Sequence, residues 1–254
     1  MTPAQHSPCN ASLALDRAEA VLLDMDGTLV LSEEVHRRSW LALFEAWGLS
    51  VTADEYQHRY MGRRPADVLA DLADLPIPAA NDGVEQAVAT MTDFILREAH
   101  TVPAVPGAAD LIQRLHAQGV PLAVVTSAGA AWAERILDGT LHVRELIDVV
   151  VTAEHVRYGK PSPEGYLAAC RALGAAPDRC MAFEDSPSGV RALVTAGVVD
   201  IIGVTTTTTA GDLLRAGARW TVPALTWETL SKATPVPVDQ PLIPHGRNQE
   251  SRRP

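Results

Sequence analysis

A chain of 254 residues, 47% hydrophobic and 20% charged, has the composition of a globular protein with one large domain or a core and a smaller unit. Its formal net charge of −10, with no Lys/Arg run outside the C-terminal tail, lacks the basic face that nucleic-acid binders present. The same charge repels phosphorylated substrates at long range, so a phosphate site must win locally, through a cation, a lysine and backbone amides.

Met1–Asn10 lacks the basic-then-apolar order of a signal peptide, and no apolar stretch reaches membrane-spanning length without charges or breakers. Cys9, Cys170 and Cys180 show neither metal-site nor CxxC spacing and read as reduced thiols of a cytoplasmic protein. Residues 1–17 are small and polar and read as a disordered lead. Ala20-Val21-Leu22-Leu23-Asp24 is apolar on both faces, the pattern of a buried parallel strand.

The pattern then turns helical from Ser32 to about Thr101. Val35, Trp40, Leu41, Leu43, Phe44 and Trp47 make a stripe at helical spacing that Gly48 closes, and both tryptophans read as core. Further helices are predicted over 67–75 and 84–100. Pro103, Pro106 and Gly107 mark the return to a helix over 108–118, a strand over 121–126, a helix over 131–138 and a strand over 149–152. A helix over 163–173, a strand over 180–183, a helix over 188–196 and a strand over 200–204 follow.

Apolar strands alternating with helices predict an α/β fold with a doubly wound parallel sheet. The helical stretch is too long for a loop. The predicted organisation is therefore a discontinuous core, residues 18–31 and 105–233, with an inserted α-helical cap over 32–104. Residues 234–254 are rich in Pro, Arg and Gln and read as a disordered tail.

Open parallel sheets bind ligands beyond the carboxyl ends of their strands. Asp24 and Asp26 end the first strand, Thr126 and Ser127 the second, and Glu184 and Asp185 the fourth, while Lys160 follows the third by a short loop. Four separate apolar runs thus deliver polar groups to one edge. Of two adjacent carboxylates, one can attack an electrophile while the other moves a proton, provided a cation offsets their repulsion.

Asp24-Met25-Asp26-Gly27-Thr28, Val125-Thr126-Ser127, Gly159-Lys160-Pro161-Ser162-Pro163 and Phe183-Glu184-Asp185-Ser186-Pro187-Ser188-Gly189-Val190 resemble the four motifs of the haloacid dehalogenase (HAD) superfamily. Order and spacing agree from residue 20 to about 230. The resemblance implies a Rossmann-like core with a helical cap, a Mg²⁺ cofactor, and phosphoryl transfer through an aspartyl-phosphate. Asp24 is then the expected nucleophile, since a carboxylate needs no deprotonation. Asp26 is expected to protonate the leaving oxygen and then activate water, help typically worth about 10²–10⁴-fold.

Lys160 suits a point-charge contact to phosphate and Asp24, with Pro161 biasing its backbone toward an extended form. The Thr126 hydroxyl and the amides around Met25 and Ser127 are expected to hold the phosphoryl oxygens. The expected metal donors are the Asp24 carboxylate, the Asp26 carbonyl and Asp185, hard oxygens of the kind Mg²⁺ prefers. Glu184 either orients a metal-bound water or ligates directly.

The second carboxylate, Asp26, argues against a dehalogenase. Glu34-Val35-His36-Arg37-Arg38-Ser39-Trp40 and Tyr60-Met61-Gly62-Arg63-Arg64 resemble the cap entry and the substrate-facing glycine segment of sugar phosphatases and β-phosphoglucomutases. His36 either approaches the substrate or lies on the ordinary cap surface. Arg63 or Arg64 either meets a second anionic group or forms a solvent salt bridge. A closing cap favours small substrates. The mutase's Ser-Lys after the second motif corresponds here to Ala128-Gly129, and its cap arginine to Pro65, beside Arg64.

The expected function is Mg²⁺-dependent hydrolysis of a small phosphorylated sugar, polyol or sugar-like metabolite. A sugar-phosphate mutase and a catalytically silent binding protein are the alternatives. The expected assembly is a monomer or small homo-oligomer, with no nucleic-acid or membrane partner.

Overall fold

The computed structural model of the chain describes residues 10–60, 68 and 79–236. Six apolar stretches, β1 (Ala20–Leu23), β2 (Leu122–Val125), β3 (Val149–Val151), β4 (Cys180–Glu184), β5 (Asp200–Val204) and β6 (Trp220–Val222), form one sheet. Its order is β3-β2-β1-β4-β5-β6, and every pairing is parallel. Strand order reverses between β1 and β4, which makes the carboxyl ends of those two strands the natural crevice of the fold.

Register decides which side chains meet there. Leu23 lies opposite Val124 of β2 and Phe183 of β4. Asp24, one residue on, therefore leaves the sheet between the Val125-Thr126 end of β2 and Glu184.

Successive strand side chains point to opposite faces. Val21, Leu23, Val124 and Phe183 pack on one face with α1 (Ala11–Leu15), α5 (Ala108–Ala117), α6 (Ala130–Glu134) and α10 (Trp227–Lys232). Leu22, Ala123, Val125 and Ala182 pack on the other with α7 (Glu164–Leu173), α8 (Pro187–Ala196) and α9 (Ala210–Ala216). Both faces are covered, as the near-continuous apolar strands require. Gly174 and Gly197 take the left-handed conformation that ends α7 and α8, where the sequence predicts those helices to stop.

Between β1 and α5 lie α2 (Glu33–Ala46), α3 (Ala53–Arg59) and α4 (Ala79–Glu98), with an apolar cluster of their own around Trp40, Phe44, Tyr56, Tyr60 and Met91. Trp40 stacks on Phe44 and Tyr60, so this predicted core tryptophan is a core residue. The Arg38–Glu98 pair and the bond from the Tyr56 hydroxyl to Glu33 link the three helices.

Three features depart from the sequence reading. Residues 11–15, expected in a disordered lead, form α1. Asn10 caps it by accepting from the Leu13 amide, and it docks on α10 through the Ala11 amide and the Ala233 carbonyl at 3.1 Å. The helix predicted over 131–138 begins at Ala130 and widens into a π-helix over Arg135–Thr140. A sixth strand and the helices α9 and α10 extend the core beyond the last predicted strand. The helix predicted over 67–75, apart from the buried Val68, lies outside the described residues, as do residues 237–254. Among the described residues, no helix is long and apolar enough to cross a membrane.

Candidate active site

The reversal point gathers four carboxylates and one lysine. Lys160 reaches in from the loop after β3, and its Nζ donates to Asp24 Oδ1 and, at 2.7 Å, to Glu184 Oε1. The Lys160–Pro161 peptide is cis. The Tyr166 hydroxyl on α7 also donates to Glu184 Oε1, at 3.2 Å. Glu184 Oε2 accepts from the Ser186 amide at 2.6 Å and the Ser186 hydroxyl at 2.9 Å. Both Glu184 oxygens are thus occupied. Its side chain lies over Gly189 in the first turn of α8, where an added Cβ would overlap the carboxylate.

Asp185 is held from two sides. Thr28 donates to Oδ1 at 3.1 Å, and Thr207 donates to Oδ2. Gly27, at φ +86°, makes the turn that brings Thr28 there, and a Cβ on it would overlap the Asp185 carboxylate.

Oxygens of Asp24, Glu184 and Asp185 lie within 4.8 Å of one another, all buried. Asp24 Oδ2 is buried with no hydrogen-bond partner among the described residues. Burial and the neighbouring Glu184 push Asp24 up to about 7 against the pull of Lys160, and burial with Glu184 and Asp24 pushes Asp185 up as well. For Lys160, burial is outweighed by Asp24 and Glu184, which hold it charged well above its ordinary value. One lysine cannot balance three buried carboxylates. An orphaned oxygen among hard donors, with excess negative charge, fits a divalent cation.

Asp26 is wired differently. Its Oδ1 accepts from Ser32 Oγ at 2.6 Å, from the Trp132 indole Nε1 at 2.9 Å and from His36 Nε2 at 3.4 Å. Its Oδ2 faces the Thr126 hydroxyl at 3.3 Å. Burial alone would raise its pKa. His36, then Ser32 and Trp132, outweigh that and bring it below the ordinary carboxylate value, so Asp26 is an anion in the ligand-free protein. His36 in turn is raised, its burial outweighed by the bond to Asp26 and that group's charge. Ser32 directly precedes α2 but gives that helix no side-chain cap, because its hydroxyl is spent on Asp26.

Asp24, Asp26, Thr126, Lys160, Glu184, Asp185 and His36 are therefore brought together. The Met25 side chain is fully buried in the core below them, leaving its backbone at the site. Ser127 lines a cleft with Thr126, Tyr158, Lys160 and Tyr166. Gly62, Arg63 and Arg64 lie outside the described residues.

Ser32, Thr28, Trp132, Tyr166 and Thr207 escape the sequence reading. Thr28 and Ser32 carry a weak signal, being hydroxyl residues within six positions of Asp26. Thr207 sits in the threonine run 205–209 after β5, and its partner Asp185 is fixed only by the β4–β5 pairing. Trp132 and Tyr166 look like ordinary apolar helix positions.

A family model described as haloacid dehalogenase-like hydrolase matches residues 18–197. Validoxylamine A 7'-phosphate phosphatase of Streptomyces hygroscopicus subsp. limoneus is 36% identical over 199 residues, 78% of this chain and 91% of that protein. Hexitol phosphatase A of Escherichia coli (strain K12) is 32% identical, over 71% of this chain and 81% of its own. The crystal structure of CbbY (mutant D10N) from Rhodobacter sphaeroides in complex with xylulose-(1,5)bisphosphate superposes with a TM-score of 0.73 at 28% identity, covering 82% of this chain and 95% of that one. By its fold, its motifs and these matches, the chain belongs to the haloacid dehalogenase-like hydrolases.

Proposed function

We propose that the chain is a Mg²⁺-dependent phosphatase that hydrolyses the monoester of a small phosphorylated sugar, polyol or sugar-like metabolite through a phosphorylated Asp24. The observation that carries this reading is the state of Asp24: buried at the strand-order reversal, one oxygen on Lys160 and the other without a partner among the described residues. That is a carboxylate held for use, since a structural one would have both oxygens satisfied. The relatives named validoxylamine A 7'-phosphate phosphatase and hexitol phosphatase A support the substrate class.

The steps follow from the side chains. Asp24 attacks phosphorus as the bond to the alcohol oxygen breaks, and Asp26 gives that oxygen its proton. A water oxygen then attacks phosphorus, Asp26 takes the water's proton, and inorganic phosphate leaves as the Asp24–phosphorus bond breaks. Asp26 starts as an anion, so it takes up a proton from solvent as phosphate charge arrives beside it and raises its pKa. Lys160, the Thr126 hydroxyl and the amides of Met25 and Ser127 hold the phosphoryl oxygens. Asp24, Asp185 and the Asp26 carbonyl would hold Mg²⁺, which supplies positive charge against the phosphate. Glu184, with both oxygens occupied, serves by fixing Lys160.

Residues 32–104 act in this reading as a cap over the core of 18–31 and 105–233, with His36 fastened to Asp26 at its entry. The buried free thiols Cys170 and Cys180 are in keeping with a cytoplasmic protein.

The mutase reading requires a grip on a second phosphate. Ala128 and Gly129 bring neither cation nor hydroxyl to the turn after Thr126. The Glu154 carboxylate takes the Ala130 amide at 3.1 and 3.2 Å and adds a negative charge beside Gly129. Hydrolysis is favoured accordingly. A panel of sugar, polyol and cyclitol monophosphates tests it. Free phosphate from a few of them supports the reading, whereas an isomeric phosphate ester with no release replaces it by the mutase.

A further inference from the structure

The proposed reaction asks Asp26 to carry a proton, and the structure treats its two oxygens unequally. Oδ1 is crowded by three donors, Ser32 Oγ at 2.6 Å, Trp132 Nε1 at 2.9 Å and His36 Nε2 at 3.4 Å. Among the described residues, Oδ2 has only the Thr126 hydroxyl, at 3.3 Å, on the side of the β2 terminus. A carboxylate oxygen offers about two lone-pair sites. With Oδ1 oversubscribed, the transferable proton belongs on Oδ2.

The three donors are not equivalent. The Ser32 hydroxyl can accept as well as donate and has a rotatable O–H, and the His36 side chain keeps 28% of its surface exposed. Trp132 is 1% exposed, packed in the core on α6, with its ring edge-on to His36 at 5.3 Å. An indole N–H can only donate, and burial favours giving it an acceptor. Here the acceptor is a carboxylate from a different element, 106 positions away in the chain.

We propose that Trp132 is a positioning residue whose indole N–H fixes Asp26 through Oδ1, so that Oδ2 presents the proton to the leaving oxygen of the substrate. The inference rests on the phosphatase reading. In the first step the Oδ2 proton moves to the alcohol oxygen, which keeps the electron pair of its broken bond to phosphorus while Asp24 forms the new one. In the second step the attacking water returns a proton to Oδ2. Trp132 exchanges nothing and sets the orientation of the carboxyl plane.

The need for that proton depends on the leaving group. The alkoxide of a sugar or polyol is strongly basic and must be protonated as it departs, whereas para-nitrophenolate leaves readily without help. The test compares kcat/KM of wild type and Trp132→Phe on a polyol phosphate and on para-nitrophenyl phosphate. This parameter reports the path up to and including transfer to Asp24. The expected result is a loss of about 10–100-fold on the polyol ester, part of the whole general-acid contribution, and less than about threefold on the aryl ester.

Replacing Trp132 by benzothienylalanine keeps the bicyclic shape without the N–H. It gives the same pair of readings if the phenylalanine variant does not fold. Equal losses on both esters, or none on either, would overturn the positioning role alone. Absence of wild-type phosphate release from both esters would overturn it together with the phosphatase reading.

Discussion

Lys160 sits between two buried carboxylates, with 11% of its side chain exposed against 7% for Asp24 and 1% for Glu184. Its charge therefore serves folding and, in the proposed reaction, the chemistry as well. Lys160→Met removes the cation and leaves Asp24 and Glu184 facing each other away from water. Breaking a buried pair in this way typically costs about 3–5 kcal/mol. Denaturant titration should show a loss of that order, and turnover should fall at least about 10²-fold. A variant of unchanged stability would mean that the pair is screened by solvent.

At this scale the sequence was most informative where chemistry forces a residue type. Asp24, Asp26, Lys160 and Asp185 stand out because charged groups seldom end apolar runs. Their supports do not stand out. Trp132 and Tyr166 sit at ordinary apolar helix positions, and each is core apart from one polar atom whose partner lies on another element, 106 positions away for Trp132 and 18 for Tyr166. Such pairings depend on tertiary geometry, so no local pattern announces them.

Among the elements, α8 shows how a local rule yields to the site. An exposed helical glycine replaced by alanine ordinarily gains about 1 kcal/mol. Gly189 lies in the first turn of α8, buried against Glu184, with its amide bonded to the Ser186 hydroxyl that caps the helix. Gly189→Ala should displace the Glu184 carboxylate, loosen Lys160, and lower both melting temperature and activity, the latter more than about tenfold. Calorimetry and kinetics on one preparation would check it, and a stabilised, fully active variant would show that Glu184 can move aside without cost.

Element boundaries in the core were legible because glycines and prolines punctuate them. The short α1 was not. Its five residues bear no long periodic pattern, and its burial comes from docking on α10. The π-helical continuation of α6 was equally hidden, since local periodicity does not distinguish it from an ordinary helical turn.

For the whole molecule, the cluster at the strand reversal links pH to stability and, in the proposed reading, metal to both. Without a cation, Asp24 is raised from 3.8 to about 7, and Asp185 shifts the same way. Between those values the folded state keeps protons that the unfolded chain has lost, so stability falls as pH rises. Asp26 is shifted down, so its contribution is present above its ordinary value and is lost only on acidification below it. In EDTA the melting temperature should therefore drop from about pH 4 to about pH 7, and Mg²⁺ should restore it most at the upper end. A flat profile, or Mg²⁺ stabilisation largest at acid pH, would contradict the assignment of this cluster.

The central claim, that Asp24 takes the phosphoryl group in a metal-dependent hydrolysis, is tested most directly by phosphate release from the best substrate of the panel. Wild type and Asp24→Asn would be compared, each with Mg²⁺ and with EDTA. The account predicts release by wild type with Mg²⁺ only, and a loss of at least about 10³-fold in a variant that is still folded. Near-normal release by Asp24→Asn, or release by wild type that EDTA leaves unchanged, would contradict it.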